Sequence, residues 1–267
     1  CCTGVGKSAR EDDDDDDGDN GGGDYGVVCA LADKTLRVFD LASLSFDASR
    51  TLRGGHAHEV TSCCAFGVGG VASACRNGVV ALWRVHARGA NAPISTHKVM
   101  DGAITVIAAS AGPSGIIAVG GANGTVCALD VARGTSRRRA ASGFGEITAL
   151  AWTKARDGRG LERELLAVGT RERKVTIWTL EDDGSLTTTH ALHLPKPSAP
   201  LSEAQRGRVW VAVAWVPEPS KDNDDDALRD GGDYRAPRLI TSGQGGDLLS
   251  WRVPMKTDAG DVVDVKD

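Results

Sequence analysis

Aromatic residues make up only 4% of this 267-residue chain, and methionine occurs twice. No apolar run approaches the ~18 residues that a membrane-crossing helix needs, so no membrane partner is expected. So few rings beside 34 glycines exclude an aromatic-rich core and leave Val, Ile, Leu and Ala packed in short elements. A basic start followed by an apolar stretch is missing too, and no secretory leader is read. The first residue is Cys rather than Met, from which a fragment of a larger protein is expected. The seven cysteines, Cys1, Cys2, Cys29, Cys63, Cys64, Cys75 and Cys127, show no metal-ligand spacing. They are expected to be reduced and mostly buried in a cytoplasmic or nuclear protein. No Gly-x-Ser-x-Gly elbow or His-Glu-x-x-His helix is present, so neither an enzyme nor a cofactor is expected. The acids Glu146, Glu162 and Glu164 read as solvated loop residues.

Charge is unevenly placed. Residues 1–24 hold nine acids against Lys7 and Arg10, and 218–233 hold seven against Lys221 and Arg229. Against a net charge of −5, this leaves a mildly basic body. Residues 1–24 read as a disordered acidic tail, because a run of carboxylates followed by Asp-Asn-Gly-Gly-Gly buries too little surface to offset ordering. Gly4-Val5-Gly6-Lys7-Ser8 looks like the end of a phosphate-binding loop, but Cys1 stands where the first Gly belongs and no strand leads in. Residues 25–253 read as the folded body, 218–233 as an acidic insertion within it and 254–267 as a polar C-terminal tail.

A repeat runs through the body. A turn residue precedes a strand-closing residue by six positions five times: Asp33 and Phe39, Asn77 and Trp83, Asn123 and Leu129, Glu172 and Trp178, Gly245 and Trp251. Before each turn comes a short strand, over 27–32, 71–75, 116–121, 165–170 and 239–243, and before four of these another, over 60–66, 104–109, 147–152 and 210–215. Asn-Gly pairs at 77–78 and 123–124 favour tight hairpins, since both residues tolerate positive φ. Val79-Val80-Ala81-Leu82-Trp83 is apolar on both faces, as a sheet sandwiched between two others requires. Units of about 40–45 residues with this plan predict an all-β fold, a β-propeller with at least five blades.

Gly55-His56, Val60, Ser73, Asn77 and Trp83 resemble the WD-repeat family's Gly-His, Ser, Asp and Trp positions, with Asn77 in place of Asp. The resemblance implies a hydrogen-bonded chain through His56, Ser73, Asn77 and Trp83, and a ring commonly of seven blades, here incomplete. One blade is expected to be missing between Trp83 and Ala103. His56 and His58 have no further ligands nearby in sequence, so His56 reads as structural and no metal is expected.

Arg137, Arg138 and Arg139 fall in the connection between the third and fourth units, and Arg171, Arg173 and Lys174 at the fourth unit's turn. Clusters of this kind contact phosphates or simply solvate a surface. The last third adds Thr176-Ile177-Trp178, Leu192-His193-Leu194-Pro195, a strand with Trp210 and Trp215 five apart, and Gly245-Gly246-Asp247-Leu248-Leu249-Ser250-Trp251. In order and motif these resemble the N-terminal propeller of the gem-associated protein five family, RNA-reading subunits of the SMN complex. That resemblance implies binding of spliceosomal small nuclear RNA precursors through the methylguanosine cap and a uridine-rich site, in snRNP assembly with SMN-complex-like proteins. It also implies that Trp210 stacks on the cap base, where an indole offers a flat face to a cationic purine. Residues five apart on a strand face opposite ways, and Trp215, like Trp152, reads as packing. A WD-repeat scaffold with protein partners on its rims is the other reading.

Overall fold

The structure, a computed structural model, describes residues 1–5, 26–41, 45–85, 91–110, 112, 114–140, 145–156, 161–194, 211–216, 236–243, 248–255 and 263–265. Side chains at 5, 45–50, 137–140 and 263–265 fall outside that description. All regular structure among the described residues is β-strand.

Strands form five sheets in chain order. The first holds β1 (Cys2–Val5), β2 (Gly26–Ala30), β3 (Leu36–Asp40) and β4 (Ser45–Leu52). The second holds β5 (Val60–Phe66), β6 (Gly70–Cys75), β7 (Val79–Arg84) and β8 (Ser95–Lys98). β9 (Ile104–Ala109), β10 (Ile116–Gly121), β11 (Thr125–Asp130) and β12 (Thr135–Ala140) make the third. β13 (Ile147–Arg156), β14 (Glu162–Thr170), β15 (Lys174–Leu180) and β16 (Leu186–His193) make the fourth, and β17 (Val211–Trp215), β18 (Arg238–Gly243) and β19 (Leu248–Arg252) the fifth. Each is an antiparallel meander in which consecutive strands pair, and β20 (Val263–Val265) joins the fourth by lying parallel to β16.

Two compact units divide the chain, Cys1–Arg138 and Arg139–Asp267. In the first, the second sheet is buried on both faces. Val71, Ala81 and Trp83 pack with Val28, Leu36, Val38 and Leu52 of the first sheet. Their alternates Ala72, Ala74, Val80 and Leu82 pack with Ile104, Ile107, Ile117, Val119 and Leu129 of the third. The near-continuous apolar run of β7 follows from this double burial, since each strand residue points into one core or the other. In the second unit Leu165, Ala167, Val175 and Ile177 meet Val211, Leu239 and Trp251. Each such aliphatic side chain contributes about 1.5–3 kcal/mol by leaving water.

Within each unit a threonine at a bulge links the opening strands of two sheets, the second to the third and the fourth to the fifth. Register slips at Thr61, Thr105 and Thr148, each an extra residue following a buried Val or Ile. Thr61 Oγ1 donates to the carbonyl of Ile104 at 2.7 Å, linking β5 to β9. Thr148 Oγ1 donates to the carbonyl of Val211 at 2.9 Å, linking β13 to β17 in the same way.

Several expectations need correcting. Cys2–Val5, in the segment read as an acidic tail, pairs with β2, with Val5 opposite Gly26. The acids begin only at Glu11, so these residues are free to alternate, and Thr3 Oγ1 accepts the backbone N–H of Ala65 at 3.0 Å. Gly4 and Val5 thus belong to a strand, which removes the phosphate-loop likeness. Val263–Val265, read as part of a polar tail, forms β20. Between Trp83 and Ala103 the described residues hold only β8, the outer strand of the second sheet, and no further sheet, which leaves the expectation of a missing blade standing. Edge strands β4, β8 and β12 carry polar sequences because their sheets end there, whereas β16 is flanked by β20. The acidic insertion 218–233 lies outside the described residues.

Candidate functional site

Around Trp83 the second sheet builds a buried polar cluster of three side chains. Trp83 Nε1 donates to Ser73 Oγ at 2.7 Å, and Ser73 Oγ lies 2.6 Å from His56 Nε2. The Ser73 hydroxyl thus accepts from the indole while bonded to the imidazole, and the tautomer of His56 sets which of the two donates in that second bond. Burial pushes the pKa of His56 down to about 4, so the ring is neutral at pH 7. Gly55 is required beside it, because a Cβ there would stand 2.5 Å from Cζ2 of Trp83.

Three of the four residues expected in this chain therefore meet, and Asn77 does not. Its Oδ1 accepts the thiol of Cys75 at 2.8 Å, and His56 Nδ1 has no partner among the described residues. In the corresponding turns Asp33 and Asn123 use their side-chain oxygens to cap the backbone N–H of Thr35 and Thr125, each at 3.1 Å. His58 is exposed and takes no part.

Each buried closing indole has a hydroxyl. Trp251 Nε1 donates to Thr241 Oγ1 at 2.8 Å, ten residues earlier, as Ser73 is to Trp83. Trp178 has Val168 at that position and uses Thr176 on its own strand instead, at 2.7 Å. Where the closing residue is Phe39 or Leu129, the position ten earlier holds Cys29 or Val119. A buried N–H without an acceptor costs about 1–3 kcal/mol, which explains why hydroxyls accompany the tryptophans. Ser73 was named from the WD-type pattern; Thr241 and Thr176 were not read from the sequence, although Thr241 shares the ten-residue offset of Ser73 from its Trp.

At the turns, the cations fall into two groups. Arg171 Nη1 pairs with Glu146 at 3.1 Å while its backbone N–H donates to the Glu146 carbonyl at 2.8 Å. Arg76 and Glu59 repeat both contacts in the second sheet, at 2.8 and 3.2 Å. Glu146 is thus an ion-pair partner rather than a solvated acid, and Glu162 approaches Lys154 at 4.0 Å. Arg173 differs. Its φ is +63°, and its N–H donates to the Thr170 carbonyl just as Gly78 N–H donates to Cys75, both at 3.1 Å. It occupies the turn position held by Gly78 and Gly124 in the second and third sheets, and Lys34, φ +71°, holds it in the first. Lys174 opens β15, where the Thr170 hydroxyl donates to its carbonyl at 3.1 Å.

Arg137, Arg138 and Arg139 lie in β12, not in a connecting loop, and their side chains are outside the description. Trp210 also lies outside the described residues. Trp215 packs on the second unit's core, and its Nε1 donates to the Ala151 carbonyl at 2.9 Å, joining β17 to β13. Among the described residues no group of three or more His, Cys, Asp or Glu is placed to hold a metal. No protein-family model matches this chain, and no curated protein matches it.

Proposed function

We propose that the chain is a run of WD-type repeats from a β-propeller, acting without catalysis as a binding platform for capped small nuclear RNA in an SMN-complex-like assembly. The observation that carries the propeller reading is the buried Trp83–Ser73–His56 chain behind Gly55, in a four-stranded meander packed on both faces. The family resemblance assigns cap stacking to Trp210, and the packing of Trp215 is compatible with that division of the motif's two tryptophans. Arg173 supports a phosphate role. A non-glycine residue in the left-handed region costs about 1–2 kcal/mol, and such strain concentrates at functional positions. Lys174, next to Arg173 in sequence, is a second candidate phosphate contact, and Arg137, Arg138 and Arg139 are candidates from the sequence alone.

A protein-binding scaffold is the second reading, favoured by the ion pair that commits Arg171 to Glu146. Titrating capped and uncapped uridine-rich RNA into the chain with its natural flanking sequence separates the two. Stacking worth ~1–3 kcal/mol predicts about 5–150-fold tighter binding of the capped RNA, abolished by Trp210→Ala. Equal binding of both RNAs by wild type and variant overturns the cap reading. Steep salt dependence without cap preference reduces the surface to a phosphate binder.

A further inference from the structure

We propose that Cys2 and Cys29 form a peroxide-responsive modification site that closes into a cross-strand disulfide between β1 and β2. The two residues are direct partners in the antiparallel register. Ala30 N–H donates to the Cys1 carbonyl at 2.8 Å, so the neighbouring Cys1 and Ala30 are a hydrogen-bonded pair and Cys2 and Cys29 a non-hydrogen-bonded one. Such pairs have Cα atoms about 4.5 Å apart with side chains drawn together, inside the roughly 4.4–6.8 Å window a disulfide requires. The Sγ atoms already lie 3.0 Å apart, as free thiols. Cys2 is exposed and Cys29 partly so, which admits a small oxidant.

The other thiols are spoken for. Cys63 Sγ faces the carbonyls of Cys1 and Val28, and Cys75 donates to Asn77. Burial pushes Cys63 and Cys64 up to about 12, and Cys127 is fully enclosed. Cys29 is pushed up to about 11 by burial and then by its hydrogen bond to Cys2, which fits it for the second step rather than the first. Cys2 thiolate attacks one oxygen of the peroxide; an S–O bond forms, the O–O bond breaks, and hydroxide leaves. Cys29, giving up its proton, then attacks the Cys2 sulfur; the S–S bond forms and the S–O bond breaks as water departs. In sum two thiols and one hydrogen peroxide give a disulfide and two waters, the sulfurs losing two electrons and the peroxide gaining them.

Closure fixes the ends of the segment joining β1 to β2, which carries the Glu11–Asp17 acids, into a covalent loop. The test treats the folded chain with hydrogen peroxide, blocks remaining thiols and maps linked peptides by mass spectrometry. The expected result is loss of two of the seven thiols, a Cys2–Cys29 linked peptide, and a rise in melting temperature that dithiothreitol reverses. Cys29→Ser should leave Cys2 at sulfenic or sulfinic acid and abolish the shift. Linkage through other cysteines, no linkage, or equal Cys2–Cys29 yield from urea-unfolded chain would each overturn the proposal.

Discussion

In the second sheet the indole N–H of Trp83 is taken by Ser73 on the neighbouring strand, and Ser73 in turn engages His56. In the fourth sheet Trp178 turns to Thr176, two residues away on its own strand. The turns differ as well: the second sheet uses Gly78 at positive φ, and the fourth uses Arg173. What the repeat demands is a hydroxyl beside the buried indole and a residue that tolerates the left-handed turn. The identity of each is open: the hydroxyl comes from the neighbouring strand in the second sheet and from the same strand in the fourth, and the left-handed residue is Gly78 in one and Arg173 in the other.

Breaking the tryptophans comes first. Trp83→Ala should cost about 3–5 kcal/mol, read as a shift in the urea midpoint, as should Trp178→Ala. Removing only the hydroxyls separates the sheets. Ser73→Ala leaves both Trp83 Nε1 and His56 Nε2 without a partner, at about 1–3 kcal/mol each, whereas Thr176→Val strands only the Trp178 N–H. Equal losses for the two variants would contradict the difference drawn between the sheets.

Acid sharpens the comparison. His56 is depressed from 6.5 to about 4, so between those values the unfolded chain binds a proton that the folded chain does not. Its contribution to stability is complete above 6.5 and lost as pH falls toward 4. His56→Gln should flatten that slope in a pH series of thermal melts, while variants in the fourth sheet leave it in place. At the turns, Gly78→Ala should destabilise, since its Cβ would collide with the Met100 carbonyl, and Arg173→Gly should stabilise by about 0.5–1 kcal/mol. Smallest is the exposed pair: Glu146→Gln should change stability by less than about 1 kcal/mol, and an equal result is expected for Glu59→Gln.

Much of the fold was legible because buried strands on both faces read as apolar runs with tight turns; β5, β9 and β10 begin and end where the sequence places them. Outer strands such as Ser95–Lys98 were not, since a polar edge resembles a loop. Cys2–Val5 was hidden by the carboxylates that follow it, and the bulged threonines by the assumption of unbroken alternation. At the site, the meeting of Ser73, His56 and Trp83 was implied by the resemblance to the WD-repeat pattern, but the capture of Asn77 by Cys75 depends on two side chains meeting across a turn, which that pattern does not encode. The pairing of Arg171 with Glu146 is likewise a contact between residues far apart in sequence.

Trp210 and Trp215 give the most direct test of the binding proposal. Titration of methylguanosine triphosphate into the chain, followed by tryptophan fluorescence, should show saturable quenching that Trp210→Phe removes. Trp215→Phe, which alters only the residue bonded to Ala151, should retain it. Quenching that survives in Trp210→Phe, or that is absent from the unmodified chain, would contradict the assignment of the cap to this surface.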